Sequence, residues 1–120
     1  MQKLAKREEQ IMHACWHLGK AFIKEIIAEL PEPKPHYNSV ATMVRILEEK
    51  GFLDHETFGN TFRYFPLISK EDYQRHAFDD MVKQYFNNSF SSMLAFFAKE
   101  QKVSKEEMNE ILELIKSQKK

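Results

Sequence analysis

The chain has one cysteine, Cys15, three glycines and four prolines in 120 residues. A lone cysteine excludes an internal disulfide framework and any multi-cysteine metal cluster. So little glycine and proline argues against a disordered or low-complexity chain. Net charge is missing too, since 18 Lys and Arg balance 18 Asp and Glu. No apolar run approaches the ~20 residues that a membrane-spanning helix requires, so no membrane insertion is expected. The opening MQKLAKREEQ is basic but leads into no apolar stretch, which argues against a secretory signal and for a cytoplasmic protein. A glycine-rich phosphate loop, a nucleophile elbow and an HExxH pair are all absent. Neither an enzyme nor a cofactor is therefore expected. What is present is 42% apolar and 30% charged residues, enough for one small core or two modules sharing an interface.

Zero net charge conceals a local pattern. Residues 1–68 carry nine basic and nine acidic side chains, and 69–120 again nine of each. Yet Lys3, Lys6 and Arg7 precede any acid, Pro33 to Leu47 contains none, and neither does Thr57 to Lys70. These stretches make one positive face if the fold gathers them. Acid-free windows of this length also arise by chance, so charge alone identifies no nucleic-acid binder.

Periodicity predicts a first helix from about Lys6 to Leu18, with Leu4, Ile11, Ala14, Cys15 and Leu18 on one side and Gly19 as its stop. A second helix spans Ile23 to Leu30 and ends at Pro31; PEPKP then forms a rigid extended spacer. The third starts near Asn38 or Ser39, both good N-caps. Its buried stripe is Val40, Met43, Val44 and Leu47. Gly51 suits the left-handed position that closes it. LDHETF and TFRYFPL around Gly59-Asn60 read as a β-hairpin, with Phe62 and Tyr64 on one face and Arg63 and Phe65 on the other.

From Ser69 onward the pattern is helical. Ser69 and Asp72 signal one helix start, and Ser104 with Glu107 another; Asn87-Asn88-Ser89 marks a break. The stripes are Tyr73, Ala77, Met81 and Tyr85, then Phe90, Met93, Leu94 and Phe97, then Met108, Ile111, Leu112 and Ile115. Seven aromatics in these 52 residues exceed what three short helices can bury alone. A second copy of the same segment is the simplest cover, because two-fold pairing is the commonest symmetry. The competing arrangement folds the helices back on the first domain.

The third helix carries the most specific chemistry. A helix reads the major groove only if its outer face is slim and bears hydrogen-bonding groups. Asn38, Ser39, Ala41, Thr42 and Arg45 meet that description. Lys34 and His36 suit phosphate contacts, which position a protein without specifying sequence. Tyr37 can donate to a phosphate or pack on the second helix. Arg63, with Asn60 and Thr61 at the hairpin tip, can reach backbone or minor groove. An ordinary solvated helix face has a similar composition. His13 and His17 stand one turn apart with Glu9 a turn earlier, but without a placed fourth ligand they read as helix surface, and no metal is expected. His36, His55 and His76 are isolated in sequence and read as surface or capping residues. Cys15, on a buried stripe, reads as an inert thiol.

LAKREEQIMHACWHLGKAFIKEIIAELP, then HYNSVATMVRILEEKGFLDHE, the hairpin and the ISKEDY entry to a helical tail resemble the penicillinase-repressor family across nearly the whole chain. The EQIMHACW stretch from Glu9 to Trp16 and VRILEEKGFL carry most of the likeness. The resemblance implies a mainly α fold with a small β-hairpin wing. A winged helix-turn-helix DNA-binding domain would occupy 1–68 and a helical dimerisation domain 69–120. It further implies a homodimeric repressor of pseudo-palindromic operator DNA, associated with antibiotic resistance. Carried over by position, Asn38, Ser39, Ala41, Thr42 and Arg45 face DNA. Tyr73, Met81, Tyr85, Phe90, Leu94, Phe97, Met108, Ile111, Leu112 and Ile115 lie in the dimerising helices. Related repressors often carry Lys and Arg where this chain has Asn38 and Ala41, so the operator does not transfer. The tail has no cysteine, unlike the copper-responsive branch. In the β-lactam branch a membrane sensor-protease system induces scission of an Asn-Phe bond. That bond aligns with Phe96-Phe97, where the Phe is present and the Asn is not. A winged helix whose third helix binds a protein partner instead of DNA is the alternative reading.

Overall fold

The computed structural model describes residues 2–118, apart from the side chains of Ile115 and Gln118. Eight elements follow one another: α1 (Lys6–Leu18), α2 (Ile23–Glu29), α3 (Tyr37–Glu49), β1 (Leu53–Phe58), β2 (Thr61–Pro66), α4 (Lys70–Tyr85), α5 (Phe90–Lys99) and α6 (Lys105–Gln118). The first five make a winged helix-turn-helix.

Its core is built from the apolar stripes. Ile11, Met12 and Cys15 of α1, Ile26 of α2, and Val40, Val44 and Leu47 of α3 are fully buried, with Phe52 and Leu53 beneath the hairpin. Burying each of the large side chains is worth roughly 1.5–3 kcal/mol. β1 and β2 pair antiparallel from Leu53 opposite Pro66 to Phe58 opposite Thr61. Gly59, at φ 63°, supplies the positive φ that this tight turn needs. Phe62 and Tyr64 share one face, as the alternation predicts. The sequence does not announce the third participant: Ala21 bridges Tyr64, with N–H···O bonds of 2.9 and 2.8 Å. This tethers the α1–α2 loop to the wing.

The N-cap of α3 differs from expectation. His36, not Asn38 or Ser39, holds the extended cap conformation. The prolines up to Pro35 keep the chain extended until that point, and the helix begins immediately after. Asn38 and Ser39 therefore lie inside its first turn. At the other end Gly51 adopts φ 84° after Lys50.

The chain divides into two compact units within α4, between Ala77 and Phe78. The sequence boundary at 68/69 falls at the entry to α4, whose first two turns belong to the first unit. Trp16 Nε1 donates to the Ile68 carbonyl at 2.8 Å. Tyr73 is buried against Trp16 and Phe52 and donates to Glu9 Oε2 at 2.5 Å.

The second unit holds the rest of α4 with α5 and α6. Val82 and Met93 are buried there, and Phe86 lies 5.7 and 6.1 Å from the rings of Phe96 and Phe97. The break between α4 and α5 is made by Asn87 and Asn88, both at positive φ. Ser89 then caps α5 by accepting from Ser92 N–H. Ser104 and Glu107 form the expected reciprocal capping box of α6, with both bonds at 3.1 Å.

Candidate nucleic-acid interface

α3 is held from behind. Its stripe of Val40, Val44 and Leu47 is fully buried, and its C-cap Lys50 donates to both Glu8 carboxylate oxygens, at 2.8 and 3.0 Å. Glu8 also accepts the Ala5 N–H that opens α1. Burial alone would raise the Glu8 carboxyl, but Lys50 and the Ala5 N–H outweigh it and hold it below its ordinary value. One carboxylate thus caps α1 and fixes the end of α3.

The opposite face of α3 is free. Asn38, Ser39, Thr42 and Arg45 are exposed and Ala41 is partly so. These are residues 38, 41, 42 and 45, one helical strip with Ser39 at its edge. Thr42 Oγ1 donates back to the Asn38 carbonyl at 2.9 Å, leaving its methyl and lone pairs outward. Among the described residues no side-chain bond engages the Asn38 amide, the Ser39 hydroxyl or the Arg45 guanidinium. A slim face with an amide, two hydroxyls and one cation can hydrogen-bond to base edges.

The flanking residues are more committed than sequence suggests. Lys34 Nζ donates to the carbonyls of Ala28 and Leu30, at 2.9 and 2.5 Å, closing the C-terminus of α2. It retains one donor for a phosphate. Tyr37 is exposed and lines an open recess of about 460 Å³ with Phe22, Ile23, Lys24, Glu25 and Thr61. His36 is exposed at the start of α3. On the wing, the Arg63 guanidinium carbon sits 5.8 and 5.9 Å from the ring centroids of Phe22 and Phe58. That double stacking holds the cation between the wing residue Phe58 and Phe22, the N-cap of α2.

Several contacts had no local signal in the sequence. Glu8 and Lys50 are far apart along the chain, as are Glu9 and Tyr73. Tyr73 is thereby used within the first unit, which removes it from the expected dimer face. Glu9 is likewise spent on Tyr73 and does not join His13 and His17, whereas His17 Nδ1 lies 2.6 Å from Glu29 Oε1. His55, isolated in sequence, stands 2.6 Å from Glu48 Oε2. Cys15 is buried as expected, and burial pushes its thiol up to about 12.

The family model described as "Penicillinase repressor" matches residues 4–117. The chain is 26% identical over 118 residues to the penicillinase repressor of Bacillus licheniformis, covering 98% of this chain and 92% of that one. To the methicillin resistance regulatory protein MecI of Staphylococcus aureus (strain N315) it is 21% identical over 114 residues, covering 94% and 93%. A solved structure titled "CopR Repressor Structure" aligns with 32% identity and a TM-score of 0.47, over 57% of this chain and all of that one. With a match that runs through both compact units, the chain belongs to the penicillinase repressor family.

Proposed function

We propose that the protein is a homodimeric transcriptional repressor that places α3 of each copy in the major groove of a two-fold symmetric operator. The observation that carries this reading is the face of α3. Its buried stripe and the Glu8–Lys50 pair fix the helix, while Asn38, Ser39, Thr42 and Arg45 are exposed, and only the Thr42 hydroxyl donates internally, to the Asn38 carbonyl. In the two-fold arrangement, half-sites one helical turn apart put the reading helices ~34–36 Å apart. Arg63, Lys34, His36 and Tyr37 supply backbone contacts around them.

The helical tail supports the dimer. Tyr85 is 68% exposed, Phe96 48% and Leu112 47%, and Phe78 and Phe90 are also exposed. Large apolar side chains in water forgo roughly 1.5–3 kcal/mol each, which a second copy recovers. Met81, Leu94, Phe97, Met108 and Ile111 are half-buried and continue the same surfaces; Ile115, expected with them, has its side chain outside the described residues. Two linked half-site contacts bind with avidity, so weakening the dimer releases DNA without altering α3. Scission of the Phe96–Phe97 bond, which lies inside α5, is the inducing step in this reading, delivered by a sensor-protease system.

The test is selection of the purified protein on a random double-stranded DNA library, followed by sequencing of what is retained. A two-fold symmetric motif is expected, and its spacing gives the separation of the reading helices. Retention without a motif would remove the base-reading role of α3. No retention by a folded dimer would transfer that face to a protein partner.

A further inference from the structure

Three potential metal ligands from two elements meet where α3 gives way to the wing. Glu48 is in the last turn of α3, and Asp54 and His55 are the second and third residues of β1. One donor atom from each lies within 4.8 Å of the other two. His55 Nδ1 is 2.6 Å from Glu48 Oε2, and the His55 backbone N–H donates to Asp54 Oδ1 at 2.7 Å.

The imidazole is already oriented. It stacks on Phe62, with ring centroids 4.1 Å apart and planes at 28°, and meets the edge of Tyr64 at 5.7 Å. The Glu48 and His55 side chains are only 21% and 31% exposed. Their charge is not balanced. Lys20 pairs with Glu56 and Lys50 with Glu8, and among the described residues no Lys or Arg pairs with Glu48 or Asp54. Even a protonated His55 leaves two carboxylates, the partly buried Glu48 and the exposed Asp54, facing a single positive charge.

We propose that Glu48, Asp54 and His55 form a binding site for a divalent transition-metal ion of the zinc class, clamping the end of α3 to the wing. One imidazole nitrogen and two carboxylate oxygens are a donor set that Zn²⁺ accepts at about 2.0–2.2 Å, with a fourth position left to water. Donors on a tetrahedral ion of that radius stand about 3.3–3.6 Å apart, so the Glu48–His55 hydrogen bond opens by under ~1 Å. Nδ1 must be unprotonated to bind, and the stacked ring keeps its lone pair aimed at the carboxylates. Resting on the DNA-binding reading, the same ion has a second effect. It cancels the negative charge that would otherwise repel phosphates beside α3, and so strengthens operator binding.

The experiment is calorimetric titration of the full chain with Zn²⁺ in a non-chelating buffer, alongside His55→Gln, Asp54→Asn and His17→Gln. One ion per chain is expected for the wild type and His17→Gln, with affinity reduced at least tenfold in the other two. A variant that misfolds does not remove the test. In the wild-type chain, Zn²⁺ should move the imidazole nitrogen resonances of His55 and leave those of His17 in place. No binding, or binding indifferent to His55→Gln and Asp54→Asn with the His55 resonances unmoved, overturns the site. Operator affinity measured with and without Zn²⁺ tests the second effect. A several-fold gain supports it, and unchanged affinity with the ion bound overturns the charge coupling while leaving the site. Failure to bind any DNA would count against the repressor reading alone, because the titration does not involve DNA.

Discussion

Replacing Lys50 by methionine should cost far more than its place on the surface end of a helix suggests. The ammonium donates twice to a Glu8 carboxylate whose side chain is only 11% exposed, and its own is 24% exposed. Methionine keeps much of the aliphatic stem and removes the charge, stranding Glu8 with the Ala5 N–H as its one remaining partner. Breaking a buried pair from one side costs about 3–5 kcal/mol. Here Glu8 has an escape, which is to protonate. From an ordinary value of 4.5, protonation at pH 7 costs about 3.4 kcal/mol at 1.36 kcal/mol per pH unit, and that sets the ceiling. About 2–3 kcal/mol is therefore expected, on the order of 10 °C in Tm for a unit of this size. Glu8→Gln is milder, about 1 kcal/mol, because the Lys50 ammonium can turn into water. The double variant should lose well under the sum of the two losses, because no stranded carboxylate remains.

The pH dependence reverses sign between wild type and variant. In the wild type, Glu8 is held below 4.5 in the folded state, so its contribution is complete above that value and lost as pH falls through the depressed one. In Lys50→Met, burial, the largest influence, is opposed only by the Ala5 N–H and raises the carboxyl, so lowering the pH from 7 toward 5 should stabilise the variant. Urea unfolding followed by the fluorescence of Trp16, the one tryptophan, measures both effects at fixed protein concentration. Losses below ~0.5 kcal/mol for Lys50→Met, or parallel pH profiles, would refute the role given to this pair.

Leu112→Glu, at an exposed position of α6, should cost dimerisation before folding; a dimer by light scattering at low micromolar concentration would place the interface elsewhere. Cys15, whose thiol burial raises to about 12, should resist iodoacetamide at pH 8 until urea unfolds the chain, and rapid alkylation of the native protein would contradict that burial. Incubation with the cognate activated protease should give fragments ending at Phe96 and starting at Phe97 by mass spectrometry, and an intact chain would end the proteolytic induction scheme.

Most elements were legible because their signals are local. Helical spacing gave α1 from Lys6 to Leu18, and the Gly59-Asn60 pair between aromatic runs located the hairpin. The contacts that set the site were not legible, because they join distant residues. Nothing near Glu9 signals Tyr73, which lies more than sixty positions later, and nothing near Trp16 signals the Ile68 carbonyl. Apolar periodicity shows that a side chain is covered without showing by what. Tyr73 and Tyr85 occupy one stripe of α4, yet the first is buried on Trp16 and the second is 68% exposed. The face of α3 was readable, since it needs only the complement of a buried stripe. Its cap was displaced to His36 because Pro35, not the capping preference of Asn38, decides where the helix can begin.

How a chain of zero net charge engages a polyanion is answered in part by where four of its acids are spent. Glu8 is bound to Lys50, Glu9 to Tyr73, Glu29 to His17 and Glu56 to Lys20. Arg45, Arg63 and Lys34 have no carboxylate partner among the described residues. Lys34 and Arg63 of each protomer neutralise about four phosphates in a dimer, so log K against log salt should fall with a slope of about −4, or about −5 if both copies of Arg45 also bind phosphate. Arg45→Ala then separates two roles that the geometry alone leaves equivalent. If Arg45 binds phosphate, the slope should shrink by about 2 and affinity should drop alike on all sequences. If it takes a guanine edge, the slope should hold while discrimination at one position per half-site falls by about 1–3 kcal/mol. Unchanged affinity and unchanged slope together would remove Arg45 from the interface and, with it, the orientation proposed for α3.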